Sequence, residues 1–137
     1  MVQSSQRFLV TSALVIWMGI IFAFSQQPGS GASWEPPLWY VLERKSAHVI
    51  EYAILLLLAA ISLRYWFPRE SEQRVLWLAL ILTSTYGVLD EIHQAFIFGR
   101  GSRLTDVFID IGGALVGLLG YKIFQQWRKQ SDRSRIV

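Results

Sequence analysis

The stretch GVLDEIHQAF, residues 87–96, sets two carboxylates (Asp90 and Glu91), an imidazole (His93) and an amide (Gln94) within five positions. Lys45, His48, Glu51 and Tyr52 form a second group and Asp106 and Asp110 a third, with Arg100 and Arg103 between the last two. Imidazoles and carboxylates are the side chains of general acid and base catalysis, which makes His48, Glu51, Asp90 and His93 the catalytic candidates. Lys45, Arg100 and Arg103 suit a phosphate or another anion, the arginines through their planar forks. The same histidines and carboxylates offer ligands to a divalent metal. That is a secondary expectation, because neither HExxH nor another established ligand spacing is present, and no cofactor is expected. No serine lies at a recognisable nucleophile turn. The chain has no cysteine, which excludes disulfides and thiolate sites.

The segments that must position these groups are apolar. Of 137 residues, 53% are hydrophobic, 14% aromatic and only 17% charged, a balance foreign to an ordinary small soluble domain. Four apolar blocks, 8–25, 47–67, 75–97 and 106–126, are each long enough as helices to cross a hydrocarbon core of ~30 Å. The expected fold is all-α, a polytopic membrane protein whose residues 1–127 form a compact four-transmembrane-helix bundle. A basic cytoplasmic tail, 128–137, follows with the composition of disorder. Arg7, the apolar run after it and Ala23-Phe24-Ser25 also fit a cleaved secretory signal, although the run is long for one. The net charge of +3 comes without a basic face to lay on a duplex, so the lipid bilayer and not nucleic acid is the expected environment. Nothing in the sequence specifies an oligomeric state.

Four spans put both termini on one side. Nine basic residues fall there (Arg7, Arg64, Arg69, Arg74, Lys122, Arg128, Lys129, Arg133 and Arg135) and four on the other, namely Arg44, Lys45, Arg100 and Arg103. The positive-inside rule then assigns the termini to the cytoplasm and loops 26–46 and 98–105 to the outside. At ~1.5 Å per residue, Glu51, Asp90 and Asp110 all come to rest in the outer half of the membrane. Lys45, His48 and Tyr52 share a stripe of the second helix, with Glu51 on its flank. Thr83, Tyr86, Gly87, Asp90 and Gln94 share one on the third, with His93 alongside and Glu91 about 100° away. Asp106, Asp110, Gly113 and Gly117 share one on the fourth, where small residues admit a close neighbour. Trp17, Trp34 and Trp39 read as interface anchors.

Ionised groups in hydrocarbon cost about 2.5–3.5 kcal/mol each on insertion scales, so they turn inward, find partners and mark function. The stretch 87–96 therefore reads as one wall of an outward-facing polar pocket formed by the second, third and fourth helices. Phe24-Ser25-Gln26-Gln27-Pro28, Lys45-x-x-His48-x-x-Glu51-Tyr52, Asp90-Glu91-x-His93-Gln94-x-Phe96, Gly99-Arg100 and Asp106-x-x-x-Asp110-x-x-Gly113-x-x-x-Gly117 together resemble the VanZ-like family of bacterial membrane proteins. The resemblance covers nearly the whole chain except the tail. Phe98 departs from it, standing where the family commonly has proline, as does Asp110, where it often has asparagine. The resemblance implies residence in the bacterial cytoplasmic (inner) membrane and an association with low-level resistance to the glycopeptide teicoplanin. It brings no general biochemical activity.

Three readings of the polar set stay open. In the first, the pocket recognises or handles an anionic envelope lipid or a lipidated glycopeptide, with Lys45, Arg100 and Arg103 as anion contacts at the starts of the second and fourth helices. Tyr52, Glu91 and Gln94 complete that surface, while Asp106 and Asp110 orient the basic groups. In the second, His48, Glu51, Asp90 and His93 catalyse a reaction on a lipid-linked, phosphate-bearing substrate. In the third the set is a structural ion network, with Glu91 held by Gln94. Orientation is the first premise to check. A cysteine placed at Ser102 is expected to react with an impermeant thiol reagent added outside intact cells, and labelling only after lysis overturns the outward assignment.

Overall fold

The computed structural model describes residues 2–28, 37–100 and 104–134. They form four helices: α1 (Val2–Ser25), α2 (Leu38–Trp66), α3 (Glu72–Gln94) and α4 (Leu104–Ser134). Each is long and apolar enough to cross a membrane. Punctuation in the sequence sets the ends. Pro28 follows α1, Pro37 caps the start of α2, and Pro68 stands just beyond its end, positions where a missing N–H is tolerated. Ser71 caps α3 by accepting a hydrogen bond from the Arg74 amide at 3.3 Å.

Three boundaries differ from the apolar blocks by more than a turn: α1 begins at Val2, six residues early, and two others depart further. α2 begins at Leu38 and not near residue 47, so residues 38–46 are helix where a loop was expected. Glu43, Arg44 and Lys45 are charged, but they are good helix formers and no breaker intervenes after Pro37. Lys45 therefore lies about two turns inside α2, away from the amides of its N-terminus. At the other end of the chain, α4 runs on to Ser134 through most of the stretch expected to be disordered. That stretch also lacks glycine and proline, and hydropathy marks where a membrane span stops, not where a helix does.

Alternating direction puts the start of α1 and the end of α4 at one end of the bundle, the terminal end. The opposite end is built from the finish of α1 and α3 and the start of α2 and α4. α2 is the central helix and touches all three others, most extensively α4, with which it runs parallel. Its Tyr52, Leu55, Leu56, Ala59 and Ala60 are completely buried against Leu14 and Ile21 of α1, Leu76 and Ala79 of α3, and Ala114 of α4. Outward-facing side chains such as Val15, Ile81 and Leu119 are apolar and more than half exposed, as expected where the surroundings are acyl chains.

Glycine makes the α2–α4 contact close. A Cβ on Gly117 would lie 2.5 Å from the Ala53 carbonyl oxygen, and one on Gly113 2.7 Å from that of Val49. At the terminal end, Thr11 and Ser62 share a hydrogen bond of 2.9 Å, Trp66 donates to Thr11, and the Arg7 guanidinium covers the Trp66 ring. Gly117→Val should therefore force α2 and α4 apart and destabilise the bundle by roughly 1–3 kcal/mol or more. Gly112→Ala, with nothing within 4 Å of the new methyl, should leave stability nearly unchanged. Thermal melts of the detergent-solubilised variants distinguish the two, and equal melting would contradict the glycine contact.

Candidate functional site

The polar groups meet at the end opposite the termini. Because α2 and α4 are parallel, successive turns meet in register: Lys45 against Asp106, His48 against Asp110, Val49 and Tyr52 against Gly113, Ala53 against Gly117. Lys45 Nζ lies 3.1 Å from Asp106 Oδ1, with side chains 42% and 30% exposed. One turn deeper, His48 Nδ1 lies 2.9 Å from Asp110 Oδ1. An ionised carboxylate can only accept, so the imidazole donates from Nδ1 and its Nε2 remains for another partner. Asp110 is fully buried and the His48 side chain is 15% exposed. The absent side chain of Gly87 lets α3 close over this pair: a Cβ there would sit 3.1 Å from the Tyr52 ring and 3.3 Å from Asp110 Oδ2.

A second set joins α3 to α1. Asp90 Oδ2 accepts from Ser25 Oγ at 2.7 Å and from Gln94 Nε2 at 2.8 Å, all three side chains being buried. Arg100 reaches back from the turn after α3 and donates through Nη1 to the carbonyl oxygens of Phe24 and Ser25 at the end of α1, where helical carbonyls lack intrahelical partners; that of Phe24 also accepts from the Gln27 amide. Gly99, with φ 73°, reverses the chain so that it can do so. Burial, with Arg44 nearby, pulls the Arg100 guanidinium below its ordinary value, while Asp90 and Glu91 oppose that fall. It still carries its charge at neutral pH. Tyr86 Oη donates to the Met18 carbonyl at 2.6 Å and Trp17 Nε1 to that of Glu51 at 3.0 Å.

Glu51 lies between the two sets, half-buried and within electrostatic reach of His48, Asp90, Asp110 and Arg100. The structure thus gathers His48, Glu51, Tyr52, Asp90, Asp110 and Arg100, with Lys45 and Asp106 one turn further out. Four buried oxygens in this region have no hydrogen-bond partner among the described residues: Tyr52 Oη, Thr83 Oγ1, Asp90 Oδ1 and Asp110 Oδ2. No set of three or more His, Asp or Glu side chains that could hold a metal ion occurs among the described residues.

Other positions depart from expectation. His93 turns to α1, with Nε2 2.9 Å from Gln26 Nε2 and its ring 4.8 Å from that of Phe22; three residues past Asp90, it falls on the α1 flank of α3. Glu91 is buried, within reach of Arg100, whereas Gln94 serves Asp90 and Ser25. Trp17 binds inside the bundle, while Trp39 is exposed as an anchor would be. Arg103 and Trp34 lie outside the described residues. The largest omission is α1, which supplies Ser25 and receives Arg100 although the site was expected from the other three helices. Its signal was the polar pair Ser25-Gln26 ending an apolar run, with Arg100 the first charge after α3.

The family model described as VanZ/LLP1 matches residues 10–125. No curated protein and no solved structure matches the chain.

The Ser25–Asp90 bond fixes the seam between α1 and α3. Hydrogen bonds to charged groups contribute about 1.5–3 kcal/mol, so a double-mutant cycle of Ser25→Ala with Asp90→Asn should return a coupling above ~1 kcal/mol in unfolding. Ser25→Ala with Asp106→Asn, which share no partner, should be additive within ~0.5 kcal/mol. Equal couplings in the two cycles would remove this bond from the seam.

Proposed function

Because the chain belongs to the VanZ/LLP1 family and is a multi-pass membrane protein, we propose that its polar end takes up the headgroup of an anionic amphiphile of the cell envelope. A lipid-linked phosphate and an acylated glycopeptide such as teicoplanin are the ligand classes. In this reading the end opposite the termini faces outward from the bacterial cytoplasmic membrane and the termini are cytoplasmic, as the distribution of basic residues favours. Lys45 and Arg100 contact the anion, together with Arg103, three residues beyond Arg100 in sequence. Glu51, Tyr52, Asp90, Glu91 and Gln94 bound the chamber, and Asp106 and Asp110 orient Lys45 and His48.

One observation carries this reading over a purely structural network: the buried polar set is incomplete. A network serving stability alone satisfies its members, since each unpartnered buried group costs about 1–3 kcal/mol. Here two carboxylate oxygens and two hydroxyls have no hydrogen-bond partner among the described residues, and Lys45, further out, is half-exposed. Among the described residues Arg100 bonds through Nη1, to α1, and in this reading its remaining donors serve the ligand. Exposed Trp39, Phe96, Phe98 and Leu104 border the same end, where a ligand with an apolar tail would lie.

A second reading, catalysis on the bound lipid, draws on His48. Its Nδ1 is held by a fully buried carboxylate, the arrangement that orients an imidazole as general base in hydrolytic triads, and Glu51 stands within reach. His93, turned to α1, is not needed for it.

The protein reconstituted in nanodiscs should bind a short polyprenyl phosphate, and separately teicoplanin, saturably. Lys45→Gln or Arg100→Gln should weaken binding about tenfold, the equivalent of ~1.4 kcal/mol. Affinities unchanged in both variants would reject the anion site. Should the wild type convert the polyprenyl phosphate, Glu51→Gln is expected to bind without turnover; an unaltered substrate assigns the site to recognition alone.

A further inference from the structure

A groove lies at the terminal end of the α3–α4 seam, with a cavity volume of about 580 Å³, within the range of small-molecule sites. α3 and α4 are close where Gly87 faces Asp110, and the groove opens between them nearer the terminal end. Leu76, Leu80, Leu115 and Leu118 form the floor and Trp77 one edge, while Glu72, Gln73 and Lys122 stand at the mouth. Glu72 precedes Gly87 by ~22 Å of helix and Lys122 follows Asp110 by ~18 Å, at 1.5 Å per residue. The two charges therefore sit within about a turn of the same level. Neither enters an ion pair among the described residues.

We propose that this groove is a binding site for one aminophospholipid of the leaflet at the terminal end: its acyl chain lies on the leucine floor, its phosphate at Lys122 and its ammonium at Glu72. Charge complementarity selects that occupant. An apolar trough of this size accepts a chain of any phospholipid. A mouth carrying one cation and one anion matches a zwitterion that has N–H donors to offer the carboxylate. A phosphatidylglycerol headgroup brings only negative charge and meets repulsion from Glu72; a choline headgroup has no N–H to donate. Lys122 can reach the phosphate from within the span because its long stem lies along apolar surface while the ammonium extends outward. Exposed Trp77, 58% accessible, stands near the start of α3, where indole rings sit at the headgroup level.

This site is separate from the polar chamber, and its test is independent of it. The full chain is reconstituted with phosphatidylethanolamine, phosphatidylglycerol and phosphatidylcholine of identical acyl chains, and retained lipid is read by native mass spectrometry. Phosphatidylethanolamine should be retained several-fold over the other two. Glu72→Gln should abolish that preference, Lys122→Gln should lower retention of all three, and Leu118→Trp, which fills the floor, should remove the adduct. Lys45→Gln and Arg100→Gln should leave it unchanged. With the polar chamber silenced by Lys45→Gln and Arg100→Gln, equal retention of the three lipids, preferential retention of phosphatidylglycerol, or an adduct that survives Lys122→Gln would overturn the proposal. Lys122 and Glu72 are exposed, so these variants retain the fold and keep the test decisive even where Leu118→Trp does not.

Discussion

The contact between α2 and α4 is the constraint on which the remainder of the molecule depends. In an up-and-down arrangement these two helices run parallel and could sit diagonally, apart from each other. Gly113 and Gly117 instead let the α4 backbone rest on the Val49 and Ala53 carbonyls, closer than side chains allow. Once that approach is made, helical periodicity leaves little freedom. One turn earlier on α4 is Asp110 and another is Asp106, so His48 and Lys45 must meet carboxylates. A methyl group on either glycine would therefore disturb the polar pairs as well as the apolar seam.

Charge inside such a bundle is tolerable because it is distributed over partners from every helix. Asp110 has His48; Asp90 has Ser25 and Gln94. Arg100 meets the end of α1, where exposed carbonyls and the negative end of the helix dipole favour a cation. α1 thus closes the polar end as well as adding apolar surface. Its attachment to α3 runs through Tyr86 on the Met18 carbonyl and Ser25 on Asp90, and its attachment to α2 through Trp17. Direct packing between α1 and α3 is slight, so these few polar bonds matter more there than elsewhere.

The two ends of the bundle consequently differ in chemistry. At one, parallel pairing and the return of Arg100 concentrate ionisable groups, some of whose oxygens have no partner among the described residues. At the other, α3 and α4 are not drawn together by glycine, and their leucines leave a trough lined also by Glu72 and Lys122, neither of which forms an ion pair among the described residues. Both features follow from where glycine occurs along the α3–α4 and α2–α4 seams.

The four helices and their membrane-spanning character were legible in the sequence, because apolar run length and proline placement are local properties. So were the stripes Lys45-His48-Tyr52 and Asp106-Asp110-Gly113-Gly117, since helical periodicity alone places residues three and four apart on one face. Which stripe faces which was not legible. Periodicity gives directions around one axis and no information on how the axes are arranged. Only the assembled bundle brought Lys45 and His48 to α4, turned His93 to Phe22 and Gln26, buried Glu91, and recruited Ser25 to Asp90 across 65 residues of chain. Hydropathy likewise missed the first two turns of α2 and the helical extension of α4, because it measures affinity for lipid, whereas a helix continues for as long as its backbone bonds are made.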